Sequence, residues 1–274
     1  MKEVMVTVDS YESCQQRVEI AASYASEIGA HLTGLFVTPD IKFPAYVSGG
    51  IVAKARKQHD AEFEERAEIA RKIFHDAAEK FDVGAGLLAL QGDYNEVITG
   101  HSRCADLLVM GQAKKDQGET AGQIYPDKVI LQSGRPVLVT PFIKCDSRQP
   151  KRVAVAWDGS REATRALHDA MPILRLAKTV ELITVAEPQS ATARYADVDL
   201  VLAQLARHDV NAKSYRIPDS SIGIGNLLLN RVVDSAADLL VTGAYGHTRL
   251  RELVMGGVTQ ELLEHCSVPL LMSR

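Results

Sequence analysis

The chain has no pair of cysteines at C-x-x-C spacing, no block of lysine and arginine, and no apolar run that approaches a membrane span. Each absence removes a class of function. Its four cysteines, Cys14, Cys104, Cys145 and Cys266, are scattered without a histidine at metal-ligand spacing. They read as reduced thiols, with Cys104 and Cys266 on or next to expected core elements, and not as a disulfide frame or a zinc site. A formal net charge of -4 with no basic block argues against a nucleic-acid surface. The opening residues 1–9 lack the charged, apolar, small-residue order of an export leader, so a cytoplasmic protein is expected. Also missing are a Walker lysine in G-x-x-x-x-G-K-[ST], the tight G-x-G-x-x-G of dinucleotide folds, and a G-x-S-x-G elbow.

What is present is a chain of 274 residues, 46% hydrophobic and 24% charged, enough for two ordinary globular domains. It repeats itself. The run from Val4 to Ser10 matches Val153 to Gly159 at an offset of 149, Ala105 to Gly111 matches Ala237 to Gly243 at 132, and Arg135-Pro136-Val137-Leu138-Val139 matches Val268-Pro269-Leu270-Leu271-Met272 at 133. Three landmarks in the same order mark a tandem duplication. The first copy carries 17 more residues between its first two landmarks, in the segment from Asp40 to Phe81. The joint lies in the aperiodic stretch from Pro141 to Pro150. This gives expected domains of 1–146 and 147–274.

Within the first half, apolar periodicity predicts strands at 3–8, 31–37, 83–90, 106–110 and 136–140, with helices at 13–28, 51–81, 95–103 and 124–133. Short apolar strands alternating with helices make an α/β fold whose parallel sheet is covered on both faces. On the long helix Phe63, Ala67, Ala70, Phe74, Ala77 and Phe81 recur at spacings of three and four, the pattern of a single amphipathic helix packed on its own sheet.

The most informative feature hangs off the apolar strand Leu239-Leu240-Val241. It is Gly243-Ala244-Tyr245-Gly246, followed nine residues later by Gly256-Gly257-Val258-Thr259. Glycines there permit φ > 0 and let the backbone approach an anion, and a following helix offers free N–H groups and the positive end of its dipole. This is the build of a phosphate-binding loop.

The pattern G-x2-G-x9-G-G-V-T resembles the nucleotide-binding signature of the universal stress protein family, and the repeated closing strand extends that resemblance over nearly the whole chain. Gly257 stands where ATP-binding members generally carry Ser or Thr, so a backbone N–H remains and a hydroxyl is missing. The resemblance implies two tandem doubly wound, Rossmann-like domains, each a five-stranded parallel sheet of order 3-2-1-4-5. In such an order the ligand crevice opens between strands 1 and 4. It implies ATP as cofactor, with Mg2+ carried on the phosphates. It also assigns residues. Asp158 matches the strand-1 aspartate on the adenosine side, and is equally placed to cap the helix starting near Arg161. Val185 falls at the adenine-contacting position. Gly243 and Gly246 turn against the ribose and first phosphates, while Gly256, Gly257, Val258 and Thr259 present N–H groups, and Thr259 its hydroxyl, to the outer phosphates. His247, Arg249 and Arg251 are phosphate neighbours or a solvated helix face.

The first half keeps Asp9 and Gly111 but has lysine opposite Gly246, and Gln123, Ile124, Tyr125 and Pro126 opposite the residues from Gly256 to Thr259. Bulky side chains and a proline without an N–H cannot rebuild an anion nest. One adenine-nucleotide site per chain is expected, in the second half.

No paired carboxylates stand beside the glycine loop in the sequence, which favours a stress-response binding or regulatory module with at most weak ATPase activity. The alternatives are a slow nucleotide-hydrolysing or adenylate-forming enzyme, and a nucleotide-free dimeric interaction module. For partners, the expected pairing runs through the last strands, Leu270-Leu271-Met272 and Val137-Leu138-Val139, either between chains as a homodimer or between the two halves.

Overall fold

The computed structural model describes residues 1–41, 43–44, 46, 49–113, 125–145, 149–185, 197–218, 222–246 and 257–274. The first repeat runs β1 (Glu3–Val8), α1 (Glu12–Ile28), β2 (His31–Thr38), α2 (Gly49–Lys80), β3 (Ala85–Gln91), α3 (Tyr94–Ser102), β4 (Leu107–Gly111), α4 (Pro126–Ser133) and β5 (Val137–Thr140). The second runs β6 (Arg152–Ala156), α5 (Arg161–Leu174), β7 (Thr179–Val185), α6 (Val198–Arg207), β8 (Ala212–Ile217), α7 (Ile224–Asp234), β9 (Leu239–Gly243), α8 (Gly257–His265) and β10 (Leu270–Ser273). The expected domain joint falls partly on residues 146–148, outside the described residues.

The strands form one ten-stranded sheet of order β3-β2-β1-β4-β5-β10-β9-β6-β7-β8. Each repeat supplies the order 3-2-1-4-5 with parallel neighbours, so the expected α/β doubly wound architecture is the one observed. Among the described residues one antiparallel pairing joins β5 to β10, with Val139 opposite Leu270, Leu138 opposite Leu271 and Val137 opposite Met272. Neither closing strand is therefore an edge of this sheet. Its edges are β3 and β8.

Alternation along each strand explains the layers, because successive side chains point to opposite faces. Val4, Val6, Val8, Val153 and Val155 belong to one buried cluster with α1, α2, α5 and α6. Met5, Ala154, Leu240, Leu270 and Met272 belong to the other, with α3, α4, α7 and α8. Both clusters take residues from both repeats, so the antiparallel seam carries a continuous core.

The aspartate of each repeated Ala-Asp-Leu-Leu-Val run has a specific task. Asp106 Oδ2 accepts from the N–H groups of Lys2 and Glu3, and Asp238 Oδ2 from those of Lys151 and Arg152. Each carboxylate thus holds the start of its repeat's first strand. The bond from Lys2 is the main reason the Asp106 carboxyl sits below its ordinary range.

On α2 the buried residues are Ala67, Ala70, Phe74, Ala77 and Ala78, the expected face. Phe63 is half-buried and stacks on Phe36 at 5.7 Å between ring centroids, and Phe81 lies just past the helix end. All four cysteines are free thiols; Cys104 is exposed in the short link between α3 and β4, and Cys266 is buried just past α8. Among the described residues no helix is long and apolar enough to cross a membrane.

Candidate nucleotide site

Order 3-2-1-4-5 places the carboxyl ends of β6 and β9 side by side, with α5 leaving β6 on one face and α8 following β9 on the other. Asp158, Val185, Gly243, Gly246 and Gly257 lie at or just beyond strand ends and helix starts of the second repeat.

Asp158 lies two residues beyond β6 and is exposed. Its Oδ1 accepts from the Ser160 N–H at 2.9 Å, tightening the turn into α5. The N-cap of α5 is Ser160, whose hydroxyl accepts from Ala163 N–H at 3.1 Å. Of the two readings the sequence left for Asp158, the helix cap falls to Ser160, and Asp158 stays exposed just beyond β6. Val185 ends β7 and is half-buried.

Gly243 ends β9, and the space around it explains its identity. A β-carbon there would stand 2.6 Å from both the Ala163 nitrogen and the Glu162 carbonyl carbon, so the start of α5 presses directly on this backbone. Gly246 has more room, its nearest neighbours for such a carbon being Glu162 Oε2 at 3.2 Å and Ser160 Oγ at 3.5 Å. Neither glycine takes the positive φ that the sequence suggested. That conformation falls instead on Tyr245, with φ of 61°, between them.

Tyr245 is held in place by its own N–H, which donates to Thr259 Oγ1 at 3.3 Å. Thr259 is buried in the first turn of α8, so its hydroxyl ties the loop to the helix across 14 residues. Among the described residues the buried Tyr245 hydroxyl has no hydrogen-bond partner, and burial raises its pKa well above the ordinary phenol value. Gly257 and Val258 open α8, whose first turn carries no acidic residue. A β-carbon on Gly257 would touch nothing within 4 Å. Gly256, His247, Arg249 and Arg251 lie outside the described residues.

Two charged residues that sequence reasoning missed shape the two crevices. In the second, Glu162 is only 6% exposed although it stands in the first turn of α5. Its Oε1 accepts from Nη2 and Nε of Arg161 at 2.8 and 3.1 Å. In the first, Arg17 of α1 fills the corresponding space. Its Nη2 donates to Asp9 Oδ2 at 2.5 Å and its Nε to the Thr7 carbonyl at 2.7 Å. A β-carbon on Gly111 would lie 2.7 Å from Arg17 Nη1.

Burial opposes the charge on Arg17, but Asp9 outweighs it and the guanidinium pKa stands above its ordinary value. Cys14 completes this cluster, its Sγ accepting from the Asp9 N–H at 3.3 Å, and burial pushes the thiol up. Both Asp9 and Asp158 accept from the N–H two residues on, so the turn is conserved between repeats while its surroundings are reversed. The signal for Arg17 was present in the sequence: it interrupts the apolar face of α1 made by Cys14, Val18, Ala21, Ala22 and Ala25, and the offset of 149 sets Ala166 opposite it.

Comparison with known proteins agrees with this architecture. The model of the universal stress protein family matches residues 225–274, the segment that contains β9, the glycine loop, α8 and β10. A universal stress protein of Synechocystis sp. is 24% identical over 299 residues, covering 100% of both chains. Among solved structures, a universal stress protein from Archaeoglobus fulgidus superposes with a TM-score of 0.73 at 18% identity, covering 99% of this chain and 96% of its own. A functionally unknown protein from Pseudomonas aeruginosa follows with a TM-score of 0.59 at 14% identity, covering 100% of this chain and 92% of its own. These structural likenesses speak for the fold, and the family match speaks for the segment that builds the second crevice. Together with an end-to-end relative of the same kind, they make the chain similar to universal stress proteins along its whole length.

Proposed function

We propose that the protein binds ATP in the crevice of its second repeat and works as a stress-response binding or regulatory module. The observation that carries this reading is the contrast between the two crevices. The first is filled by Arg17 on a buried Asp9, whereas the second has an exposed Asp158, no arginine at the matching Ala166, and a helix start at Gly257 with open space beside it. The group fits this chemistry. Asp158 would accept from ribose hydroxyls and Val185 would lie against the base. The backbone of Gly243 and Gly246, the N–H groups of Gly256, Gly257 and Val258, and the first turn of α8 around Thr259 would hold the phosphates. Mg2+ would ride on the phosphates themselves.

Binding is favoured over turnover because the sequence carries neither a Walker lysine nor a G-x-S-x-G elbow. Under this reading the domains are 1–146 and 147–274, the protein is cytoplasmic, and the pairing of β5 with β10 replaces pairing through the same strands between two chains. Calorimetric titration with ATP, together with mass spectrometry of nucleotide released on denaturation, tests the reading. One adenine nucleotide per chain is expected. The absence of both released nucleotide and binding heat overturns it.

A further inference from the structure

We infer that Glu162 sets the charge selectivity of the second crevice, weighing against each ligand in proportion to the negative charge brought near Gly246. The inference rests on the nucleotide reading above and deepens it.

Glu162 is buried, yet its Oε2 stands 3.2 Å from where a Gly246 β-carbon would lie, so a carboxylate edge borders the glycine loop. The α5 dipole favours an acidic residue at this first-turn position, which keeps the side chain in place. Its paired guanidinium belongs to Arg161, whose side chain is 83% exposed. Water and salt screen that cation, whereas the buried carboxylate acts on its neighbours through a lower dielectric. A like charge brought against such a carboxylate opposes binding. The first repeat has Ser13 at the matching position, and its buried Asp9 is neutralised by Arg17, so a carboxylate from the helix start borders the second crevice alone. Arg161 is then a partial counter-ion that moderates the effect.

The test compares wild type with Glu162→Gln, which keeps the shape and removes the charge, and with Arg161→Ala, an exposed change that leaves the fold intact. Adenosine, AMP, ADP and ATP are titrated calorimetrically in EDTA and again with Mg2+. In EDTA, Glu162→Gln is expected to tighten ATP by about tenfold or more, AMP less and adenosine not at all, with Mg2+ shrinking the gain. Arg161→Ala is expected to weaken ATP while sparing adenosine. An equal gain for adenosine, or weaker ATP binding by Glu162→Gln, overturns the inference and leaves the nucleotide reading standing. Failure of all four ligands to bind any of the three proteins overturns the nucleotide reading and this inference with it.

Discussion

Nη2 of Arg17 and Oδ2 of Asp9 lie 2.5 Å apart with both side chains buried, in the crevice where the second repeat has Ala166 and an exposed Asp158. A guanidinium in that position does two things. It neutralises the aspartate that the turn after β1 places at the sheet's carboxyl edge, and it occupies the volume beside Gly111. The two repeats therefore share a backbone design and differ in what fills it.

Removing one partner of such a buried pair leaves the other charged and unpartnered. Arg17→Ala is expected to lower the unfolding free energy by about 3–5 kcal/mol, measured by urea denaturation. Replacing both, as Arg17→Met with Asp9→Asn, should recover most of that loss. A double variant as unstable as Arg17→Ala would mean that the hydrogen bonds from Arg17 to Asp9 and to the Thr7 carbonyl, and not the unpartnered charge on Asp9, set the cost.

The Asp158→Ala substitution should act on ligand binding and hardly on the fold. The carboxylate is exposed, and its bond to the Ser160 N–H is one turn contact beside the independent Ser160 cap. Loss of a charged acceptor for ribose hydroxyls predicts ATP binding weaker by roughly tenfold to a hundredfold, with the melting temperature nearly unchanged. Full affinity in a folded variant would remove Asp158 from the site.

Gly243 answers to packing. Its missing side chain leaves room for backbone atoms of Glu162 and Ala163, which cannot rotate away as a flexible side chain could. Gly243→Ala should cost about 1–3 kcal/mol or more by thermal or urea unfolding, even with no nucleotide added. A neutral substitution would show that α5 can shift at its start.

The element order, the duplication and the strand order follow from features that local sequence carries well: period-two apolar runs, a helix face such as Ala67, Ala70, Phe74 and Ala77, and landmarks such as Asp106 and Asp238. The glycine loop is legible for the same reason, since Gly243 and Gly246 serve backbone geometry. Arg17 was legible only as a charge that interrupts the apolar face of α1, and Glu162 was not legible at all. A charged residue on a helix reads as solvated until its burial is known, and burial depends on which strand end lies opposite. Gly111 and Gly246 supply those opposing surfaces from about 90 residues away in sequence in each case. The left-handed conformation at Tyr245 was hidden similarly, because it depends on the hydroxyl of Thr259 across the loop.

Far from the crevice, Glu181 of β7 joins Arg231 of α7 at 2.7 Å and Lys213 of β8 at 3.4 Å, while Arg231 lies 3.5 Å from the Tyr215 ring centroid. The Arg231 hydrogen bond is the main reason the Glu181 carboxyl lies below its ordinary value, against an opposing effect of burial. A carboxyl lowered in the folded state contributes stability above the unfolded value of about 4.3, and that contribution is lost as pH falls through the lower folded value. Urea midpoints should therefore drop below about pH 4. Glu181→Gln should be less stable at pH 7 and should show a shallower acid decline. An unchanged slope would place the acid sensitivity elsewhere.

Gly257 offers the most direct gain-of-function test. Family members that bind ATP generally carry a hydroxyl here, and a β-carbon on Gly257 meets no atom within 4 Å. Gly257→Ser therefore adds a donor at the first residue of α8 without displacing anything described. Glycine is also the poorer residue within a helix, so the change should not reduce stability. One added hydrogen bond of about 0.5–1.5 kcal/mol predicts ATP binding tighter by roughly twofold to tenfold, with adenosine unaffected because it lacks phosphates. A parallel gain for adenosine would mean that serine stiffened the loop without touching phosphate. Weaker ATP binding would mean that the phosphates pass closer to this backbone than a side chain permits.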